Sequence, residues 1–179
     1  MFQNAGCADF YALFFVGFTD KAGDAESIGM FGSGFKLAVA AAMRLGIELV
    51  EGPYQPAEWG RAVRPHRELP EGSIRCESCY RLRMVQTARL ARERGLDLFS
   101  VTLTVSRHKN SKVLERIGRE VAQAEGVAYL AEDFKKQDGY NQSVCLSREL
   151  GLRRQDYCGC SISRAEAQDR RRRKEAASR

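Results

Sequence analysis

Residues 98–130, LFSVTLTVSRHKNSKVLERIGREVAQAEGVAYL, decide the fold class. Leu98 to Val105 is dense in β-branched and aromatic residues and reads as a buried strand. Ser111 to Glu125 then places Val113, Leu114, Ile117, Val121 and Ala124 on one helical face, Gly126 stops the helix, and Val127 to Leu130 reads as a second strand. A strand, a helix and a strand in succession return the chain in its original direction, which favours parallel pairing with the helix laid over the sheet. The expectation is an α/β fold, a Rossmann-like parallel sheet covered by helices in a single domain.

The flanking sequence extends the alternation. Phe35 to Leu45 (FKLAVAAAMRL) is alanine-rich and helix-like, and Gly46 ends it before a short strand at Ile47 to Val50. Pro53 and Pro56 mark a turn, and Ala57 to Val63 forms a short helix carrying Trp59. Arg64 to Ile74, with Pro65, Pro70 and Gly72, reads as a loop that delivers Cys76. From Cys79 the spacing of Leu82, Val85, Ala88, Leu90 and Ala91 predicts a helix reaching Arg94 and stopped by Gly95. A last helix, Asn141 to Leu150, ends at Gly151 and leads into Cys158-Gly159-Cys160. After Ser163 the chain is charged and poor in apolar residues, a partly ordered helix or a disordered tail. The expected units are a segment over 1–45, the main domain over 46–163 and a basic tail over 164–179.

At 179 residues, 44% hydrophobic and 29% charged, the chain can bury one sizeable core. A membrane helix needs about 18 consecutive apolar residues, whereas the longest apolar-rich run is Phe10 to Phe18. No basic segment precedes that run and no small-x-small cleavage site follows it, so the expected setting is the cytoplasm, without a membrane partner. The net charge of +6 is uneven: Arg170 to Lys174 is an unbroken cationic run, and Arg81, Arg83, Arg89, Arg92 and Arg94 decorate the segment after Cys79. Such charge attracts phosphates, and it equally suits a solvated helix face.

Four of the six cysteines fall in two close pairs, Cys76-Glu77-Ser78-Cys79 and Cys158-Gly159-Cys160. In a reducing compartment paired cysteines point to metal or redox chemistry before structural disulfides. A Cys-x-x-Cys opening a helix presents both sulfurs on one side, and the helix dipole favours thiolate there. The residues alone leave a thioredoxin-type motif, half a zinc site and half an iron–sulfur site open for Cys76 and Cys79. Cys158 and Cys160 suit either a strained disulfide or two ligands of a four-thiolate zinc site. Cys7 and Cys145 each read as a small buried hydrophobe.

The stretch from Cys76 to Ser163 resembles the QueH-type epoxyqueuosine reductases. The residues that carry the likeness are Cys76 to Arg83 (CESCYRLR), Val101 to Lys109 (VTLTVSRHK), Asp133 to Lys136 (DFKK), Gly139-Tyr140, and Arg154 to Cys160 (RQDYCGC). The likeness is firm over 76–163, weaker over 46–75, and lost over 1–45. It implies a cytosolic oxidoreductase that reduces epoxyqueuosine to queuosine at the wobble position of tRNA, with an electron donor as a second partner. It further implies a [4Fe-4S] cluster held by Cys76 and Cys79 together with an N-terminal Cys-Cys, and a redox-active pair at Cys158 and Cys160. Reduction of an epoxide consumes two electrons, and a dithiol can hold both.

The N-terminus departs from that family. Gly6-Cys7-Ala8-Asp9 stands where the family carries two adjacent cysteines, so Cys7 matches the second and Gly6 replaces the first. With Cys7, Cys76 and Cys79 as ligands one iron would lack a cysteine, and Asp9 is the residue at hand for it or for an additional iron. The family's Tyr-Asn-Pro-Asn motif is missing between Phe10 and Gly46. Gly29 to Lys36 (GMFGSGFK) stands there instead, a glycine-rich turn faintly like the lid of GHKL-type ATPases.

Among the other matched residues, Asp133 and Lys135 follow a strand end, where parallel sheets place their sites. His108 and Lys109 follow another and are candidates for phosphate or the modified base, while Tyr80, Tyr140 and Tyr157 are candidates for stacking on RNA. A second reading from a different class stays open: a non-catalytic zinc-binding protein associated with RNA, or a degenerate reductase without its cluster.

Overall fold

The computed structural model describes residues 14–16, 46, 48–51, 56–152 and 156–178. Its elements run β1 (Phe14–Val16), β2 (Leu49–Glu51), α1 (Pro56–Val63), α2 (Ile74–Glu93), β3 (Leu98–Phe99), α3 (Ser111–Glu125), β4 (Ala128–Tyr129), α4 (Gly139–Glu149) and α5 (Ser161–Ala177). Short 3-10 turns occupy Arg64–His66 and Thr102–Val105. The fold is α/β: β1 pairs with β2 and β3 pairs with β4, both in parallel. The expected helix over 35–45 and the glycine-rich segment 29–36 lie outside the described residues.

Helical periodicity sets where the core sits. On α2 the buried residues Cys76, Tyr80, Met84, Ala88 and Ala91 recur at steps of three and four, so they form one stripe. On α3 the stripe is Leu114, Ile117, Gly118 and Val121. The two stripes face each other, with Phe99 and Val127 closing the end beneath them. Leu114 and Ile117 are wholly buried, and truncating either to alanine costs about 2–5 kcal/mol.

The ends of α3 follow from its flanking residues. Asn110 caps the N-terminus, its side-chain oxygen accepting from the backbone N–H groups of Lys112 at 3.0 Å and Val113 at 3.4 Å. At the other end the Gly126 N–H donates to the Ala122 carbonyl at 2.9 Å. The helix and its stop at Gly126 lie where the sequence predicts them.

The strand expected over Leu98 to Val105 is shorter. Pairing stops at Phe99, in register with Tyr129, and the chain turns at Thr102. The Thr104 hydroxyl accepts from the Phe134 N–H at 3.3 Å and its carbonyl accepts from Lys135 Nζ at 3.1 Å. These bonds to the segment after β4 override the strand preference of β-branched residues. The expected strand at 127–130 likewise narrows to Ala128–Tyr129.

At Gly118 α3 and β4 approach closely. A Cβ at this position would overlap the Tyr129 ring. The ring itself packs on Phe99, centroids 5.1 Å apart and planes 52° apart.

The tail after Ser163 belongs to a regular helix, α5. Glu166 on α5 pairs with Arg75 on α2 at 2.9 Å, and Ala167 is buried, so the tail's first turns are docked. Among the described residues no helix is long and apolar enough to cross a membrane.

Candidate active site

Helix α2 begins at Ile74, earlier than the spacing from Cys79 predicts, so Cys76 and Cys79 both lie within its first two turns. The loop before it is pinned by Ser73 Oγ donating to the Pro70 carbonyl at 2.7 Å. This places the Gly72 N–H 3.3 Å from Cys76 Sγ. From α1, Trp59 Nε1 donates to Cys79 Sγ at 3.3 Å.

The second pair is shaped by the glycine between its members. Gly159 has φ of 93°, a left-handed conformation that lets the chain turn between Cys158 and Cys160. Cys160 is the N-cap of α5, its sulfur accepting from the Ser163 N–H at 3.3 Å, while the Ser163 hydroxyl accepts from the Cys158 N–H at 2.7 Å. Cys76, Cys79, Cys158 and Cys160 line one pocket together with Glu71, Arg75 and Arg83. All four are free thiols, and each sulfur faces an N–H donor.

Lys109 is the donor for Cys158. It is 7% exposed, and its Nζ lies 3.0 Å from Cys158 Sγ, 2.7 Å from Glu71 Oε1 and 5.8 Å from the centre of the Tyr80 ring. Burial pulls the ammonium pKa down, but Cys158, Tyr80 and Glu71 outweigh it and the net shift is upward. Burial pushes the Cys158 thiol up against the opposing pull of Lys109, and pushes Cys160 up against the Ser163 N–H. The Tyr80 hydroxyl is raised by burial, with Lys109 opposing.

Two arginines complete the electrostatics. Arg75, Cys79 and Arg83 recur at four-residue steps and so share a face of α2. For Arg83 burial opposes the charged form, but Cys79, Cys158 and Cys160 outweigh it and raise its pKa; for Arg75 Glu166 does the same. Arg75 Nη2 and Arg83 Nε are buried without a hydrogen-bond partner. Buried N–H groups left in this state favour an anionic neighbour.

The other expected residues divide. Cys7 and Asp9 lie outside the described residues. Cys145, expected to be buried, is exposed on α4 and does not line the pocket, because the buried residue of that helix is Ser147. His108 is exposed and its Nε2 accepts from Arg107 Nε at 3.4 Å. The Arg107 guanidinium stands 5.5 Å over the Tyr140 ring, and Tyr157 is half-buried. Asp133 and Lys135 pair at 3.1 Å, and Lys135 Nζ also donates to the Lys109 carbonyl at 3.1 Å. Lys109, Asp133 and Lys135 are therefore internal contacts rather than solvated loop charges.

The arginines after Cys79 are engaged as well. Arg81 pairs with Glu120, Arg89 and Arg92 pair with Glu125, and Arg94 pairs with Glu48. Their charge is offset by α3 and by Glu48 just before β2, which leaves Arg172, Arg173 and Lys174 on α5 as an exposed basic run. Arg171 is held to Asp156, Nε to Oδ2 at 3.1 Å.

Among the described residues no three His, Cys, Asp or Glu side chains converge as ligands of one metal ion. The four thiols line one pocket as two close pairs in sequence. Trp59 and Glu71 belong to no sequence motif, and only their contacts reveal them. Arg75 and Arg83 carried a signal, their helical spacing about Cys79.

The epoxyqueuosine reductase QueH family model matches residues 36–166. An epoxyqueuosine reductase QueH of Streptococcus pyogenes serotype M1 is 42% identical over 114 residues, 64% of this chain and 45% of that protein. One of Thermotoga maritima is 40% identical over 122 residues, 66% of this chain and 64% of that protein. One of Staphylococcus aureus (strain Mu50) is 35% identical over 117 residues, 64% of this chain and 48% of that protein. The chain spans between 45% and 64% of the length of these curated relatives.

Proposed function

The chain belongs to the epoxyqueuosine reductase QueH family, and we propose that it reduces epoxyqueuosine in tRNA to queuosine, in the cytoplasm, with electrons from a separate donor. The observation that carries the reading is the gathering of Cys76, Cys79, Cys158 and Cys160 around one pocket. Reducing an epoxide takes up two electrons and two protons. Oxidising the Cys158 and Cys160 thiols to a disulfide releases both.

Cys76 and Cys79, with Cys7 from the N-terminal segment, are the residues to hold a [4Fe-4S] cluster. The fit is supported by the donor set, two soft thiols one helical turn apart. The unpartnered N–H groups of Arg75 and Arg83 support it too, as hydrogen bonds for an anionic sulfide cluster. When bound, the cluster supplies electrons singly. Asp9 is the remaining ligand, for the iron that lacks a cysteine or for an additional iron. Cys158 and Cys160 form the two-electron pair in the same pocket, Lys109 holds the Cys158 sulfur, and the α5 N-terminus holds the Cys160 sulfur.

The architecture we propose around this site is a Rossmann-like sheet in one domain over 46–163, supported by the parallel pairing of β1 with β2 and β3 with β4. Residues 1–45 complete the same domain and 164–179 form its basic extension. The zinc-binding alternative has Cys158 and Cys160 share one metal with Cys76 and Cys79, whereas the cluster reading leaves them free as a redox pair.

The test is nucleoside analysis of tRNA bearing epoxyqueuosine, incubated anaerobically with reconstituted protein and a chemical reductant. Queuosine should appear with the intact chain and not with Cys158→Ser or Cys160→Ser. Equal conversion by the Cys158→Ser protein would overturn the assignment of the pair.

A further inference from the structure

The sequence signatures VTLTVSRHK and DFKK lie some thirty positions apart, and the structure brings them together on one atom. Lys135 Nζ binds the carbonyls of Thr104 and Lys109, both at 3.1 Å, and the Asp133 carboxylate at 3.1 Å. The Phe134 N–H donates to Thr104 Oγ1 at 3.3 Å. On its other side Lys109 is followed directly by Asn110, the cap that fixes the start of α3, and its own N–H donates to the Ser106 carbonyl at 3.1 Å. The backbone of Lys109 is thereby held from both directions. Its side chain runs inward to Cys158 Sγ at 3.0 Å, with Glu71 at 2.7 Å on the far side of the ammonium and the Tyr80 ring beneath.

Resting on the reading of Cys158 and Cys160 as the redox pair, we propose that Lys109 sets the potential and polarity of that pair, by stabilising the sulfur that receives the electron pair when the disulfide opens. With a dithiol as reductant, one thiolate attacks Cys160 Sγ and a mixed disulfide forms. The Cys158–Cys160 bond breaks, and its electron pair leaves on Cys158 Sγ beside the Lys109 ammonium. The second thiolate of the reductant then attacks the mixed disulfide and releases Cys160 as a thiolate that takes a proton from water. The pair gains two electrons and the reductant becomes a disulfide.

The two sulfurs are not equivalent in this arrangement. Cys158 faces a full, buried positive charge, whereas Cys160 faces a neutral backbone N–H at 3.3 Å. Other charged and titratable groups face the pair as well: Glu71 and Arg83 act on Cys158, and Cys79 and Arg75 act on Cys160. Lys109 is the cation in direct contact. A buried ammonium stabilises a thiolate over a disulfide, so its presence raises the reduction potential, and its removal leaves the pair harder to reduce.

The experiment equilibrates the full chain with mixtures of reduced and oxidised dithiothreitol, alkylates it, and reads the Cys158–Cys160 disulfide by mass spectrometry. Lys109→Met should favour the disulfide about tenfold relative to the native chain, a potential lower by about 30 mV. Lys109→Arg should recover most of the difference, and Lys135→Met, which keeps the ammonium but releases its backbone, should fall between. A Lys109→Met protein with native helix content and an unchanged potential overturns the inference. Should that variant not fold, an unchanged potential in Lys135→Met overturns it equally. Absence of a Cys158–Cys160 disulfide in the native chain at every poise sinks the redox-pair reading itself, a result separate from an unshifted potential.

Discussion

The Glu166 carboxylate of α5 lies 2.9 Å from the Arg75 guanidinium of α2, so one ion pair joins the helix after Cys160 to the helix that carries Cys76 and Cys79. Arg75 is 2% exposed and donates also to the Arg67 carbonyl at 3.2 Å. Removing Glu166 strands a buried charge. Glu166→Leu should destabilise the chain by about 1–3 kcal/mol in urea unfolding, and the double variant with Arg75→Met should be more stable than Glu166→Leu alone. A double variant less stable than either single would contradict this account of the pair.

Gly118 lets the Tyr129 ring sit against α3. Gly118→Ala should cost about 1–3 kcal/mol through overpacking, despite the better helix propensity of alanine. Adding Tyr129→Val should make the Gly118→Ala step nearly neutral, as a double-mutant cycle of unfolding free energies would record. Equal costs in both backgrounds would mean the ring is not the obstacle.

Tyr129 also makes a pH prediction. Burial pushes its hydroxyl from 10.0 up to about 12, with Glu115 adding to the shift and Arg119 opposing it. Between those values the unfolded chain ionises this tyrosine before the folded chain does, so the unfolded state binds fewer protons. Its contribution to stability is therefore complete below pH 10 and is lost as pH rises towards 12. Tyr129→Phe should be spared that loss, so native and variant stabilities should move apart in alkali. Parallel stability curves for the two proteins would refute the shift.

The α5 run Arg172, Arg173 and Lys174 is exposed, whereas Arg171 is held by Asp156. Neutralising the three exposed cations with glutamine should weaken tRNA binding and lower the salt slope by about 2 to 3, close to one counterion per phosphate contact. Unchanged affinity at low salt would assign the run to a solvated helix face.

Much of this was legible in the sequence where a pattern is local. The α3 stripe from Leu114 to Val121, the stop at Gly126 and the helix over Ala57 to Val63 all follow from periodicity and capping, and the structure has them. The strand over Leu98 to Val105 is misread because its end is decided by Phe134 and Lys135, some thirty positions away. Cysteine spacing marks the two thiol pairs. It does not tell that Lys109 points inward, since a lysine before a helix cap is normally solvated, and only Glu71 and Cys158 make its burial tolerable. The basic segment after Cys79 is misleading for a related reason. Its partners Glu120 and Glu125 lie on a different helix, so composition displays the charge without its compensation.

The central claim is the division of labour between the thiol pairs, and iron analysis of anaerobically purified protein tests it most directly. The account predicts several irons with matching acid-labile sulfide, lost in Cys76→Ser and Cys79→Ser but retained in Cys158→Ser and Cys160→Ser. A single zinc per chain, released by substitution at either pair, would contradict it.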